Sequence, residues 1–125
     1  MKKIIHTTQA PAPIGPYSQA VRAGGFLFVS GQIPINPQSG DLIMDSIENE
    51  THQVMANIKA ILQVEGLGFP NIVKTSIFLK NMDDFAKVNA TYGEYFSGDF
   101  PARETVQVSR LPKDVNVEIS VIAVL

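Results

Sequence analysis

The sequence predicts an α+β fold: a mixed β-sheet with two helices packed on one of its faces. Three observations carry this. Short β-branched runs alternate with two longer segments of helical spacing, so the order reads β-β-β-α-β-α-β-β. Strand–helix–strand units imply parallel pairs joined by right-handed crossovers. Gly24-Gly25 between two apolar runs implies an antiparallel hairpin, because tight hairpin turns need positive φ.

The elements follow in order. Ile4–His6 is a short β-branched strand. Ala10–Tyr17 holds three prolines and a glycine, which exclude both helix and ladder and leave an ordered irregular loop. Gln19–Ala23 and Phe26–Ser30 are the arms of the hairpin, and Pro34–Gly40 is a second turn-rich connection. Ser46–Glu65 reads as a helix whose stripe is Val54, Ile58, Ile61 and Leu62, flanked by Met55. Ser46 suits the N-cap, Glu48 and Glu50 suit the dipole of the first turn, and Gly66 suits C′. Ile72–Lys80 alternates as a strand. A second helix is predicted after Asn81, with Phe85, Val88, Tyr92 and Phe96 as its buried stripe and its end near Ser97-Gly98. Thr105–Val108 and Val115–Leu125 complete the sheet around the turn Leu111-Pro112-Lys113-Asp114. Residues 1–125 form one domain, with no repeat, linker or low-complexity segment.

Two helices cover only one sheet face. In the last strand Val117, Ile119, Val121 and Ala123 point one way, and Asn116, Glu118, Ser120, Ile122 and Val124 point the other. That second face mixes a carboxylate with apolar residues and needs a cover this chain does not supply, so self-association is expected. Composition agrees: charged residues are 18% of the chain, against about 25% in an average soluble domain.

Charge and residue types exclude several function classes. Ten Lys+Arg against twelve Asp+Glu give a net charge of −2, without the basic excess that phosphate binding draws on. Nucleic acid is therefore not an expected partner. The chain has no cysteine, and His6 and His52 are its only histidines, so no metal site is expected. No run approaches the ~20 apolar residues of a membrane span, and no signal-peptide core follows Met1, so a cytoplasmic protein is expected. Phosphate loops, dinucleotide fingerprints and nucleophile elbows are all missing.

Arg103 and Glu118 remain. Arg103 opens a strand just after Pro101-Ala102, with Thr105 on its side by period two. Glu118 stands mid-strand between Val117 and Ile119, where burial of a charge is costly unless it is paired. From the residues alone the two could simply form an ion pair across the sheet.

Five segments, in order, resemble the Rid (YjgF-like) family and within it the RidA subgroup. They are Ala12-Pro-Ile-Gly-Pro-Tyr17-Ser-Gln-Ala20, Val29-Ser30-Gly31-Gln-Ile-Pro34, Val88-Asn89-Ala-Thr-Tyr92, Phe100-Pro-Ala-Arg103, and Leu111-Pro-Lys-Asp-Val115 with Val117-Glu118-Ile119. The resemblance implies a chorismate-mutase-like fold, a homotrimer with clefts between subunits, and hydrolysis of 2-aminoacrylate-derived imines without a cofactor. It implies that Arg103 binds the substrate carboxylate and Glu118 activates water. Tyr17, Ser30, Gly31, Asn89 and Thr105 would surround the small 2-imino acid. Three of these also have a structural alternative: Tyr17 as a packed loop aromatic, Asn89 as a helix surface amide, and Thr105, the most evenly balanced of the three, as a strand residue without a role in the site. Two features depart from the pattern: the short loop Ser97-Gly98-Asp99, and Thr105 at a position where the family often has cysteine.

Overall fold

The computed structural model describes residues 1–125. Its strands are β1 (Lys3–Ile5), β2 (Ala20–Ala23), β3 (Phe26–Gln32), β4 (Ile72–Leu79), β5 (Ala102–Gln107) and β6 (Val117–Val124). Its helices are α1 (Ile47–Val64) and α2 (Phe85–Gly93). The strands form one mixed sheet in the order β1-β2-β3-β6-β4-β5. β6, the last strand, inserts between β3 and β4 and runs antiparallel to both, while β4 and β5 are the parallel pair. The crossover through α1 thus joins two strands of one direction that are not neighbours.

Local chemistry sets the ends of α1. The Ser46 Oγ accepts the Asn49 N–H at 3.0 Å. At the other end Gly66 sits at φ +70°, and Gly66 and Leu67 donate back to Gln63 and Leu62. That is a Schellman closure, and it needs a residue at ease with positive φ. The face of α1 bearing Val54, Met55, Ile58, Ile61 and Leu62 packs on Val117, Ile119, Val121 and Ala123 of β6 in one core.

Three expectations need correction. The second helix is shorter than its hydrophobic spacing suggests. Asn81 caps a 3₁₀ turn over Met82–Asp84, and α2 ends at Gly93. Tyr95 and Phe96 donate to Tyr92 and Gly93 at the tighter i→i−3 spacing, so Phe96 reaches the core from a turn and stacks on Tyr92 with ring centroids 4.9 Å apart. The strand expected over Thr105–Val108 starts earlier, at Ala102. Glu50 stands in the first turn of α1 as expected and is fully buried there. Asn116, placed by alternation with Glu118, precedes β6 and gives its side-chain amide to Glu50 of α1.

The face away from the helices carries Phe26 and Phe28 of β3, paired with Val124 and Ile122 of β6. Ile4, Phe26, Phe28 and Val124 are exposed there. The apolar face anticipated from the sequence therefore lies open.

Candidate active site

On the helix side, Arg103 of β5 is in register with Thr75 of β4, whose hydroxyl accepts the Tyr92 O–H at 2.9 Å. This pairing aims Arg103 under α2. Its guanidinium carbon lies 5.3 Å from the Tyr92 ring centroid and 5.8 Å from that of Phe85, and one N–H donates to Asn89 Oδ1 at 2.8 Å. Cation–π contacts and this bond hold the guanidinium plane while leaving it other donors. The group faces a cavity of about 480 Å³ walled by Asn89, Tyr92, Gly93, Phe100 and Pro101. Burial pushes the Tyr92 hydroxyl up, against smaller opposing effects of Thr75 and Arg103, so it stays a neutral donor. Thr105 pairs with Ile77 and buries its Oγ1 without a hydrogen-bond partner, and it is not part of the cavity wall.

On the opposite side, Glu118 alternates with the core residues Val117 and Ile119. Beside it β3 slips register: Val29 pairs with Val121 and Gln32 with Ile119, so Ser30 and Gly31 together oppose Ser120. This bulge re-aims the backbone. A Cβ on Gly31 would lie 2.5 Å from Glu118 Oε2 and 2.8 Å from its Cδ, closer than real atoms approach, so only glycine admits the carboxylate there.

Ser30 ties the proline-rich loop to this strand. Its Oγ donates to the Ser18 carbonyl at 2.6 Å, and its N–H donates to the Gln19 carbonyl at 2.9 Å. Gln19, buried, donates to the carbonyls of Thr7, Ala10 and Pro11 and accepts the Thr7 N–H. The loop so fixed presents Tyr17, which is 49% exposed. Tyr17, Ser30, Gly31 and Glu118 line a second cavity of about 480 Å³ with Ile14, Ile33 and Pro112.

No ion pair reaches Glu118. The chain's four are Lys3–Glu65, Arg22–Glu65, Lys74–Glu104 and Lys80–Asp114. The cross-sheet pair of Arg103 and Glu118 is therefore not formed: β4 separates their strands, and they face opposite sides. Burial alone pushes the Glu118 carboxyl above the ordinary carboxylate value.

The sequence-predicted residues thus fall into two groups, Arg103 with Asn89 and Glu118 with Tyr17, Ser30 and Gly31, while Thr105 joins neither cavity. Each cavity holds half of a conceivable hydrolytic site: an arginine fork suited to a carboxylate, and an unpaired basic carboxylate suited to taking a proton from water. Phe85 and Tyr92, which hold the guanidinium, escape a sequence reading because aromatic residues at helical spacing read as core. The Ser30 proton is committed to Ser18, which leaves its lone pairs, not its O–H, for a ligand.

The family model described as endoribonuclease L-PSP matches residues 7–125. A RutC family protein of Pyrococcus horikoshii is 54% identical over 123 residues, covering 98% of each chain. Among solved structures, the YjgF gene product of E. coli is similar with a TM-score of 0.93 and 48% identity, covering 98% of each chain. E. coli TdcF with bound serine is similar at 0.94 and 42%, again over 98% of each.

Proposed function

The chain belongs to the endoribonuclease L-PSP family, the YjgF/Rid proteins, and from that premise we propose that it is a hydrolytic deaminase of reactive enamines and imines. Its substrates are 2-aminoacrylate, 2-iminopropanoate and 2-iminobutanoate, and its products are the 2-oxo acid and ammonia. The observation that carries this reading is Glu118: a half-buried carboxylate with no cation, packed on a glycine that leaves it room and raised in basicity by burial. A protein that only binds small carboxylates needs the Arg103 fork but has no use for such a base.

Arg103 grips the substrate carboxylate, helped by the Asn89 amide that already orients it. The protonated imine carbon is an electrophile. Glu118 takes one proton from water as its oxygen bonds to that carbon. The proton passes to the nitrogen, the carbon–nitrogen bond breaks as the hydroxyl becomes a carbonyl, and ammonium leaves with the hydroxyl proton. Iminium and water thus become ketone and ammonium, with no redox step and no cofactor required.

One chain cannot close this site, since its halves lie on opposite faces of one sheet. In this reading three copies associate through the open apolar face, and Arg103 of one copy meets Glu118 of another. A serine-sized ligand in the similar TdcF structure supports a small amino-acid-like substrate. The ribonuclease activity named in the family description finds little support in a net charge of −2. The test is a coupled assay. Purified threonine dehydratase generates 2-iminobutanoate, and ammonia and 2-oxobutanoate are followed with and without this protein. Faster release is expected, and identical time courses over a range of protein concentrations would refute the proposal.

A further inference from the structure

Glu50 has no exposed surface, and none of the chain's ion pairs includes it. Both oxygens are spent on one residue: Oε2 accepts the Asn116 N–H at 2.6 Å, and Oε1 accepts the Asn116 side-chain N–H at 2.9 Å. The Asn116 carbonyl in turn accepts the Lys80 N–H at 3.0 Å. Burying a carboxylate is unfavourable unless its lone pairs are satisfied; the backbone N–H at 116 meets one oxygen, and the Asn116 side chain meets the other.

Asn116 stands where position matters. Before it the chain turns through Lys113 and Asp114, both at positive φ without being glycine. Pro112 of that turn walls the Glu118 cavity. After it β6 begins, and Glu118 is two residues on, its carboxyl end occupying the space that a side chain on Gly31 would need. We propose that Glu50 is a positioning residue for Glu118: its two-oxygen grip on Asn116 fixes where β6 starts, and so sets Glu118 against Gly31 and Pro112 on the far face of the sheet. The inference rests on the reading of Glu118 as the base.

Four variants test it: Glu50→Ala, Glu50→Gln, Asn116→Ala, and Met55→Ala as a control that removes buried volume elsewhere on α1. All are assayed well below their own melting temperatures. Glu50→Ala is expected to lower kcat about 10- to 100-fold, since misplacement by about 1 Å is enough. Affinity for 2-oxobutanoate should stay within about twofold, because the Arg103 half is untouched. Asn116→Ala keeps the backbone N–H on Oε2 and loses only the bond to Oε1, so its loss of kcat should be smaller. The double variant should be no worse than Glu50→Ala alone. Glutamine can rescue: its oxygen accepts the Asn116 N–H, and its NH₂ donates to an inverted Asn116 amide. Met55→Ala should lose stability and keep kcat.

A normal kcat in Glu50→Ala, or a loss in Glu50→Gln equal to that in alanine, would overturn the inference. An inert wild type would instead sink the deaminase reading. Placement is then read by hydrogen exchange of the Val117 and Glu118 amides, which should quicken in Glu50→Ala but not in Glu50→Gln. Unchanged exchange in the alanine variant would overturn it there.

Discussion

Replacing Arg103 by lysine keeps a cation beside Tyr92 and Phe85 but removes the planar fork that already spends one N–H on Asn89. If the fork orients a substrate carboxylate, kcat/KM should fall about 10²-fold or more, because a point charge cannot fix the imine carbon against its water. Near-normal kcat/KM in a folded Arg103→Lys protein would remove the clamp. Glu118→Gln asks the complementary question. The amide keeps the shape and cannot accept a proton at neutral pH, so turnover should drop about 10²- to 10⁴-fold while 2-oxobutanoate binding persists. The sign of the pH dependence follows from burial. A base acts only when ionised, and this carboxyl is raised from the ordinary 4.5. Activity should therefore be lost as pH falls through a value above 4.5, and a kcat/KM profile flat down to that pH would count against Glu118 as the base.

Among the elements, the β3 bulge is the one on which the site depends most. Gly31→Ala puts a methyl 2.5 Å from Glu118 Oε2, so either the carboxylate or the strand must move. Turnover should collapse while the fold survives, and a crystal structure of the variant should show Glu118 displaced. An unshifted, active variant would refute the close packing. Ser46→Ala tests α1 more simply and should cost about 1 kcal/mol through the lost cap, read from chemical denaturation. The caps of α1 and the Gly24-Gly25 hairpin were legible in the sequence because capping and turn chemistry act over a few residues. The bulge was not legible, since a register slip depends on which strand pairs with β3, and that strand is the last in the chain. Nor was the end of α2. Phe96 keeps helical spacing with Tyr92 and is packed on the core, yet it gets there from a turn. The first-turn place of Glu50 was legible, but its burial was not, because its partner lies 66 residues away in sequence. Arg103 and Glu118 were identifiable as residues, but alternation within single strands could not show that their strands place them on opposite faces.

At the scale of the whole molecule, the open face and the divided site make one claim, that function needs more than one chain. Phe28→Glu puts a charge in the middle of the uncovered apolar face and should yield a monomer in sedimentation, with imine hydrolysis lost although neither cavity is touched. That outcome alone would not prove a shared site, because a monomer can fail for other reasons. Mixing two dead variants does. Arg103→Lys chains retain Glu118, and Glu118→Gln chains retain Arg103. If each site joins the arginine of one copy to the glutamate of its neighbour, unfolding and refolding an equal mixture should restore function wherever an intact arginine meets an intact glutamate. In a cyclic homotrimer with random assembly that is about one site in four, so about a quarter of wild-type turnover should return. The variants refolded separately and then combined without exchange should stay inactive. If Arg103 and Glu118 instead acted within one chain, no mixed assembly would contain an intact site. The co-refolded sample would then show no more activity than the two dead proteins measured apart.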